Sequence, residues 1–518
     1  MLRRFLRNTA ISAAAYGIAG VLGLFAVGVI ARSYGLSVLG LVVLARAFLP
    51  TGFLALVDLG VSETTTQAVA RGRIGDWRVA NERVSLLGMI AAVTGIASSL
   101  ILWAAGSFLT GIFRVPPEQI TAFISILHVT AVVLPICFLG LVVEGFLKGF
   151  EYYGWLRATE VGSNLIYVAI IYVLSSSGAD FEWLAYAYLA TVVGKYLVLA
   201  IIVCQAGQCV SMRIGLWSAP VRRDILHRCW LMFNSRIGGT LQQPVPPLVI
   251  GALFGPTEVG TFDLITRLPR FLKATMAPLY AAILPISTRL DETTDERRFQ
   301  MLGRSGLILP SALLVPALVV VATFSKDILR IWVGPQYAGQ WPWLALSLCI
   351  PAVTAILGSG QTALIVRSSY LRLSTRLIYW QVFTQYAISF VFLFWLREAA
   401  FIVGWAVSYV LFAPLFACYM LAEIGLPNAL FWLHLTKLAI VAIILVIAVL
   451  IYEQISAPTN LISLMLVGGL ASTLAWILSF GIVLSRSDRA MFRKFAQATI
   501  PIPRYISSKI SRLVSDQD

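Results

Sequence analysis

Long apolar stretches separated by short polar loops dominate the chain. About fourteen such stretches of roughly 20 residues occur, at 9–33, 38–60, 84–108, 119–147, 157–177, 183–206, 229–253, 259–287, 305–325, 342–366, 377–396, 401–422, 432–453 and 461–485. Because a helix needs about 20 apolar residues to cross the hydrocarbon core of a bilayer, the pattern predicts an all-α polytopic membrane protein with about 14 transmembrane helices.

A repeated motif divides these stretches into two halves. The pattern VIxxxYGxxxLG at residues 29–40 recurs as VIxxxFGxxxVG at 249–260, and FxxxIFR at 108–114 recurs as FxxxILR at 324–330. Each copy contains an even number of spans, which returns the chain to its starting side, so the copies are parallel. We therefore expect two parallel six-helix lobes, 1–210 and 211–425, then two additional transmembrane helices within 426–485 and a basic cytoplasmic tail at 486–518.

Composition agrees with a membrane protein and fixes its expected orientation. Hydrophobic residues make up 59% of the chain and charged residues 12%, and the mean hydropathy is +0.86. The net charge of +15 is concentrated on one side, because the loops of the opposite side hold only Arg32, Arg114, Lys326, Arg330 and Arg397. This positive-inside bias predicts that both termini are cytoplasmic, and it makes nucleic-acid binding an unnecessary explanation of the charge.

Several charged residues lie inside the predicted spans. A charge at mid-bilayer costs about 2.5–3.5 kcal/mol on insertion scales, so such residues should face protein or water. Arg46 lies in the second span and Arg236 in the seventh, whereas the eighth span carries four charged residues within an arc of about 120°, namely Asp263, Arg267, Arg270 and Lys273. In the repeat alignment Arg46 falls beside Arg267, opposite Thr266.

These cations predict a water-filled cavity that binds an anionic substrate, most simply a phosphate or diphosphate. The predicted substrate-binding residues are Arg46, Arg236, Arg267, Arg270 and Lys273. Asp263 is expected to balance charge or to couple transport to protons. The alternative is a set of ion pairs that hold helices together, such as Asp263 with Arg267 at i,i+4, but cations outnumber acids within these spans.

Helix breakers and absent motifs narrow the function further. Pro244, Pro246 and Pro247 in the seventh span should bend or interrupt that helix, as a flexing gate requires. The chain has neither a GxxxxGK phosphate loop nor an HExxH or Cys/His metal motif, so we expect no enzymatic activity, no cofactor and no metal.

Three segments resemble a known family. They are SYG at 33–35 leading to Gly40, DLGVS at 58–62 and ILRIWVGPQY at 328–337. They are similar to polysaccharide-biosynthesis (Wzx-type) flippases of the multidrug/oligosaccharidyl-lipid/polysaccharide exporter superfamily. That superfamily also includes the MATE transporters and the lipid II flippase.

The resemblance implies a MATE-like fold in the bacterial inner membrane. It also implies alternating-access transport of undecaprenyl-diphosphate-linked oligosaccharide for O-antigen, exopolysaccharide or capsule assembly. Membrane lipids and a polysaccharide polymerase are the expected partners. Related flippases carry cavity cations on helices that match spans 1, 2, 7 and 8. Arg46, Arg236, Arg267 and Arg270 correspond by position, whereas span 1 of this chain has no central cation.

Three other functions remain open from the sequence. A MATE-like drug exporter would need acidic cavity residues, whereas these spans are rich in cations. A lipid II flippase shares the same physical requirements and differs in substrate. A membrane glycosyltransferase or ligase would need a catalytic constellation and larger outer loops than the sequence contains.

Overall fold

A computed structural model describes residues 2–73, 76–205, 217–281, 283, 287–288, 290–291, 296–455, 458–486 and 488–489. These residues form helices joined by turns, without a β-strand among them. The α-helices are α1 Leu2–Ser33, α2 Gly35–Ala47, α3 Val61–Gly72, α4 Trp77–Ile112, α5 Ile120–Gly149, α6 Tyr153–Ser177, α7 Glu182–Gln205, α8 Ala219–Gln242, α9 Val245–Phe254, α10 Pro256–Ala281, α11 Glu296–Thr323, α12 Ser325–Trp332, α13 Trp341–Ser347, α14 Cys349–Leu364, α15 Ser368–Leu396, α16 Ala399–Ile424, α17 Ala429–Ile455 and α18 Leu461–Ile482. Short 3-10 helices occupy Phe53–Ala55, Pro117–Gln119 and Pro335–Gln340.

The helices confirm the predicted all-α membrane fold. Within the described residues, 11 helical segments are long and apolar enough to cross a bilayer, and α2 and α9 are shorter apolar helices. Large apolar side chains lie on their outer surfaces: Phe394 is 89% exposed, Trp395 74% and Leu470 72%. Such exposure is stable in hydrocarbon rather than in water. The number of spans, predicted as 14, is not confirmed.

Two predicted spans are interrupted. The second span, predicted at 38–60, is helical only to Ala47, because Pro50 lacks a backbone N–H and disfavours helical geometry at the residue before it. Leu59 and Gly60 then adopt left-handed backbone conformations before α3 begins. The seventh span is split between α8 and α9 at Gln243–Pro244, as its prolines predict.

The described chain divides into two compact units. The first comprises residues 1–282, 329–350 and 372–412, and the second comprises 283–328, 351–371 and 413–518. Each unit combines separate segments of the chain, whereas each predicted lobe is one continuous stretch. The boundaries of the lobes stay a prediction. The predicted boundary near 210 and nearly all of the 486–518 tail lie outside the described residues.

In the first unit, α2 and α10 cross at the repeated glycines. A Cβ on Gly40 would lie 1.8 Å from the carbonyl oxygen of Pro256, and a Cβ on Gly260 would lie 2.0 Å from that of Leu36. Only hydrogen fits at either position, so the backbones of the two helices touch. The two repeat copies therefore meet at the same position of their shared motif.

A second contact closes the same end of these helices. The indole of Trp332 donates a hydrogen bond of 2.9 Å to the carbonyl oxygen of Leu24 on α1, and Gly28 provides the space for the ring. From this end, helix rise places Arg46 about 9 Å below Gly40 and Arg267 about 10 Å below Gly260.

The second unit is held by polar contacts between α11 and the last two helices. Ser311 on α11 hydrogen-bonds the buried His434 ring on α17 at 2.7 Å. On α18, Ser479 donates to the carbonyl oxygen of Ala312 at 2.6 Å and Trp476 to that of Leu313 at 2.9 Å. Such bonds join membrane helices because hydrocarbon offers polar groups no other partner.

Candidate functional site

One buried carboxylate organises the charged stripe on α10. The Asp263 side chain is only 1% exposed, and its Oδ1 accepts a hydrogen bond from Arg270 and lies 3.8 Å from Nη1 of Arg267. Arg270 also donates to the Thr266 hydroxyl at 2.8 Å. The two guanidiniums remain 27% and 22% exposed, for Arg267 and Arg270 respectively. The acid thus lies beneath the stripe, and the cations keep an accessible face.

Arg46 is held by aromatic rings rather than by an acid. Its guanidinium carbon lies 3.8 Å from the ring centroid of Tyr188 on α7 and 5.2 Å from that of Tyr167 on α6. The two rings are 5.3 Å apart at 65°. A cation over desolvated aromatic faces gains about 1–2 kcal/mol. Arg46 also ends α2, where the helix dipole favours positive charge.

The structure brings Arg46 and the α10 stripe together. Arg46 lies near enough to Asp263 and Arg267 for their charges to interact. This agrees with the depth predicted for Arg46 and Arg267 from the repeat alignment. The Gly40–Gly260 contact favours this arrangement, because it holds the backbones of α2 and α10 close together.

Lys273 extends the stripe towards α16. Its ammonium donates a hydrogen bond of 2.7 Å to the hydroxyl of Tyr409, and the Tyr409 hydroxyl donates to the side-chain carbonyl of Gln242 at 3.3 Å. Neither partner is charged, so the positive charge of Lys273 is oriented but not neutralised.

Arg236 has a different environment. Its Nη1 pairs with Asp58, whose side chain is 5% exposed, and its Nη2 donates to Glu63 at 2.6 Å. Asp58 also accepts a bond of 2.6 Å from the backbone N–H of Gly60. Two carboxylates therefore offset one guanidinium, and the contact fastens α8 to the irregular segment before α3.

The charges within the cluster do not balance. Arg46, Arg267, Arg270 and Lys273 carry four positive charges, and Asp263 is the carboxylate within ion-pairing distance of the α10 arginines among the described residues. We call these five residues the α2–α10 cluster. Beside Arg46, between α2, α5 and α7, lies a small cavity that has room for roughly one water molecule.

A further intramembrane lysine is structural. Lys195 on α7 pairs with Glu144 on α5 at 2.8 Å, and Lys148 approaches the same carboxylate at 3.4 Å. Lys148 also donates to the Ser62 hydroxyl at 3.0 Å. This pairing joins α3, α5 and α7 and does not contribute to the α2–α10 cluster.

The sequence predicted the cations but not the tyrosines that contact them. Tyr167, Tyr188 and Tyr409 lie on three different helices, and no spacing relates them to Arg46 or Lys273. One signal was present: arginines in apolar spans need compensating groups, and tyrosines in other spans are candidates. The pairing of Arg236 with Asp58 and Glu63 depended on the break in the second span.

The chain matches a known protein family. A family model described as polysaccharide biosynthesis protein matches residues 5–291, which is more than half of the chain. Comparison with curated protein sequences gives no significant match.

Solved structures share the fold at low sequence identity. The lipid II flippase MurJ in an inward closed conformation is similar, with a TM-score of 0.73 and 12% identity, over 91% of this chain and 98% of that one. An inward-facing multidrug resistance MATE family transporter of the MOP superfamily has a TM-score of 0.65 and 15% identity, over 81% of this chain and 95% of that one. At these identities the likeness shows the fold alone, a MATE- and MurJ-like arrangement of helices.

Proposed function

Because the chain belongs to the polysaccharide biosynthesis protein family, we propose that it moves a polyprenyl-diphosphate-linked oligosaccharide across the bacterial inner membrane. The expected carrier is undecaprenyl diphosphate, and the direction is from the cytoplasmic to the periplasmic leaflet. The product would feed O-antigen, exopolysaccharide or capsule assembly, with a polysaccharide polymerase as a downstream partner. The α2–α10 cluster carries the proposal.

The cluster suits a diphosphate in charge and in geometry. A diphosphate diester brings two negative charges and several acceptor oxygens to a site with a net excess of cations. Guanidinium groups bind such oxygens through paired, charge-assisted hydrogen bonds. In a region of low dielectric constant this attraction is stronger than in water. Arg46, Arg267 and Arg270 would contact the diphosphate, and Lys273 would extend the site along α10.

The size of the cavity beside Arg46 supports alternating access. The small cavity beside Arg46 cannot hold a diphosphate, so the helices around Arg46 would have to move apart for the substrate to enter. The Gly40–Gly260 crossing and the Trp332 contact close one end of these helices, which the charge distribution assigns to the periplasmic side. Opening would then begin at the other end, where Arg236 fastens α8 to the segment before α3.

The charge of the cluster favours this function over drug export. A MATE-like exporter of cationic drugs requires acids that face the substrate, whereas Asp263 is buried beneath two arginines. A lipid II flippase would use the same cations, and the identity of the accumulated lipid distinguishes it. Asp263 is proposed to balance the charge of Arg267 and Arg270; a coupling role for it stays a prediction.

We expect the double variant Arg267→Gln/Arg270→Gln to reduce export at least tenfold, because two charge-assisted hydrogen bonds to the diphosphate are lost. Lipid-linked oligosaccharide should accumulate in the cytoplasmic leaflet. The measurement is mass spectrometry of extracted lipids, combined with labelling of spheroplasts by a membrane-impermeant sugar oxidant.

A matched control is Arg222→Gln/Arg376→Gln, which removes the same charge from exposed positions outside the cluster. It should export normally. Undiminished export by the Arg267/Arg270 variant at normal abundance would refute the proposed site. Accumulation of a peptidoglycan precursor instead of a polysaccharide unit would assign the lipid II function.

Arg236 is expected to act mainly on stability, although its position in the seventh predicted span predicts substrate contact. Arg236→Gln leaves the buried Asp58 without its guanidinium, which should lower the melting temperature of the purified protein. Export divided by protein abundance should fall less than for the Arg267/Arg270 variant. A normal melting temperature together with greatly reduced export per molecule would instead indicate that Arg236 contacts the substrate.

A further inference from the structure

The α2–α10 cluster contains buried polar atoms that its own residues do not satisfy. Within the described part of the chain, Nε of Arg46, Nε of Arg267 and Oδ2 of Asp263 have no hydrogen-bond partner. A buried donor or acceptor left unpaired typically costs about 1–3 kcal/mol, and proteins rarely tolerate several in one place. Three in one cluster indicate that something else completes it.

The unpaired atoms are of two chemical kinds. The two Nε–H groups are donors, and a diphosphate supplies acceptor oxygens for both. Oδ2 of Asp263 is an acceptor only, because the carboxylate is held ionised between Arg267 and Arg270. A diphosphate diester has no N–H or O–H group at neutral pH, so it would leave this oxygen unsatisfied.

Resting on the proposed function, we propose that the site also recognises the sugar joined to the diphosphate. A hydroxyl or acylamino N–H group of this first sugar would donate to Oδ2 of Asp263. The Tyr167 hydroxyl, which lies beside the Arg46 guanidinium, would make a second hydrogen bond to the same sugar. The ligand that completes the cluster therefore carries acceptors and a donor next to each other, as a sugar diphosphate does.

Asp263 and Tyr167 are placed for this role. Oδ1 of Asp263 accepts the hydrogen bond from Arg270 and lies 3.8 Å from Nη1 of Arg267, whereas Oδ2 has no partner. Tyr167 is 4% exposed and belongs to the apolar core that surrounds α1, α2 and α6. Its ring supports Arg46 whether or not the hydroxyl is bonded, so the hydroxyl can be removed without removing the support.

The test compares the affinities of three short-chain probes for the full-length protein in lipid nanodiscs. Farnesyl diphosphate carries acceptors only, and farnesyl-diphospho-N-acetylglucosamine adds sugar donors. The third probe is the same sugar diphosphate with its hydroxyl and amide hydrogens replaced by methyl groups. We expect the donor-bearing sugar probe to bind about tenfold more tightly than the methylated one, the worth of one hydrogen bond to a charged group.

Variants assign the preference to the named atoms. Tyr167→Phe should reduce the preference severalfold, whereas Tyr34→Phe should leave it unchanged. Tyr34 is a matched control because it also carries a buried hydroxyl and packs against the same core. Asp263→Asn should abolish the preference, and its melting temperature is measured alongside because the variant removes a charge.

The outcomes separate this inference from the function on which it rests. Equal binding of the two sugar probes by the wild-type protein would overturn the inference, while tight binding of farnesyl diphosphate would still support the diphosphate site. If Tyr167→Phe kept the full preference for the donor-bearing sugar probe, Tyr167 would not contact the sugar. Failure of all three probes to bind would overturn the proposed function as well.

Discussion

Replacing either crossing glycine by alanine is expected to reduce export roughly 5- to 150-fold. An alanine Cβ at position 40 or 260 would lie about 2 Å from a backbone oxygen of the partner helix, and a backbone cannot move aside as a side chain can. The helices must separate by an ångström or more, which should cost about 1–3 kcal/mol for alanine and more for valine. That energy corresponds to a roughly 5- to 150-fold loss of the crossed arrangement.

Export assays and abundance in membranes measure this effect. Gly40→Ala and Gly260→Ala should give similar losses, because the two glycines occupy equivalent places in the repeat, and valine should be worse at both. Gly17→Ala and Gly23→Ala on α1 are the matched controls, since a Cβ at either position meets nothing within 4 Å. Normal export by both position-40 and position-260 alanine variants would show that the crossing is not required.

The repeated motif could be recognised in the sequence, but the contact between its two copies could not be predicted. The alignment of 29–40 with 249–260 predicted related helices at equal depth, and the described structure agrees. It does not predict that Gly40 and Gly260 touch each other. Contact between equivalent residues requires that a symmetry axis pass close to them, and the sequence of one copy holds no information about where that axis lies.

The cations illustrate the same limit. Apolar surroundings identified Arg46, Arg267 and Arg270, because a charge in hydrocarbon is costly enough to need a reason. The sequence also suggested the Asp263–Arg267 pair from its spacing. It could not show that Arg270, seven residues from Asp263, shares that carboxylate, since side-chain rotamers decide between i+4 and i+7 partners. Contacts with Tyr167 and Tyr188 depend wholly on tertiary packing.

The predicted end of the second span was wrong for a local reason. Hydropathy alone extended the second span to residue 60, because residues 48–60 remain largely apolar. Pro50 ends the helix at Ala47, and the left-handed conformations of Leu59 and Gly60 lie directly before α3. This break has a functional consequence, since it places Asp58 and Glu63 within reach of Arg236. Proline weighed against hydropathy would have predicted the break, as it did for α8 and α9.

Asp263→Asn is expected to be the most destabilising single change of charge in the cluster. It leaves Arg267 and Arg270 adjacent without their shared carboxylate, and Arg46 nearby. Breaking a buried pair typically costs about 3–5 kcal/mol; because the two guanidiniums are about a quarter exposed, we expect roughly 2–3 kcal/mol here. Membrane abundance and the melting temperature in detergent should both fall, whereas Asp180→Asn at an exposed position should change neither.

A second substitution separates the roles considered for Asp263. If the carboxylate balances charge, Asp263→Asn/Arg270→Gln should recover the abundance that Asp263→Asn loses, because one unpaired cation is removed with the acid. Export should stay low in this double variant, since an arginine that contacts the diphosphate is also missing. If Asp263 instead couples transport to protons, Asp263→Asn alone should be abundant and should lose the pH dependence of export. A charge-balancing role therefore predicts low abundance of Asp263→Asn that Arg270→Gln restores. A coupling role predicts normal abundance of Asp263→Asn and export that no longer depends on pH.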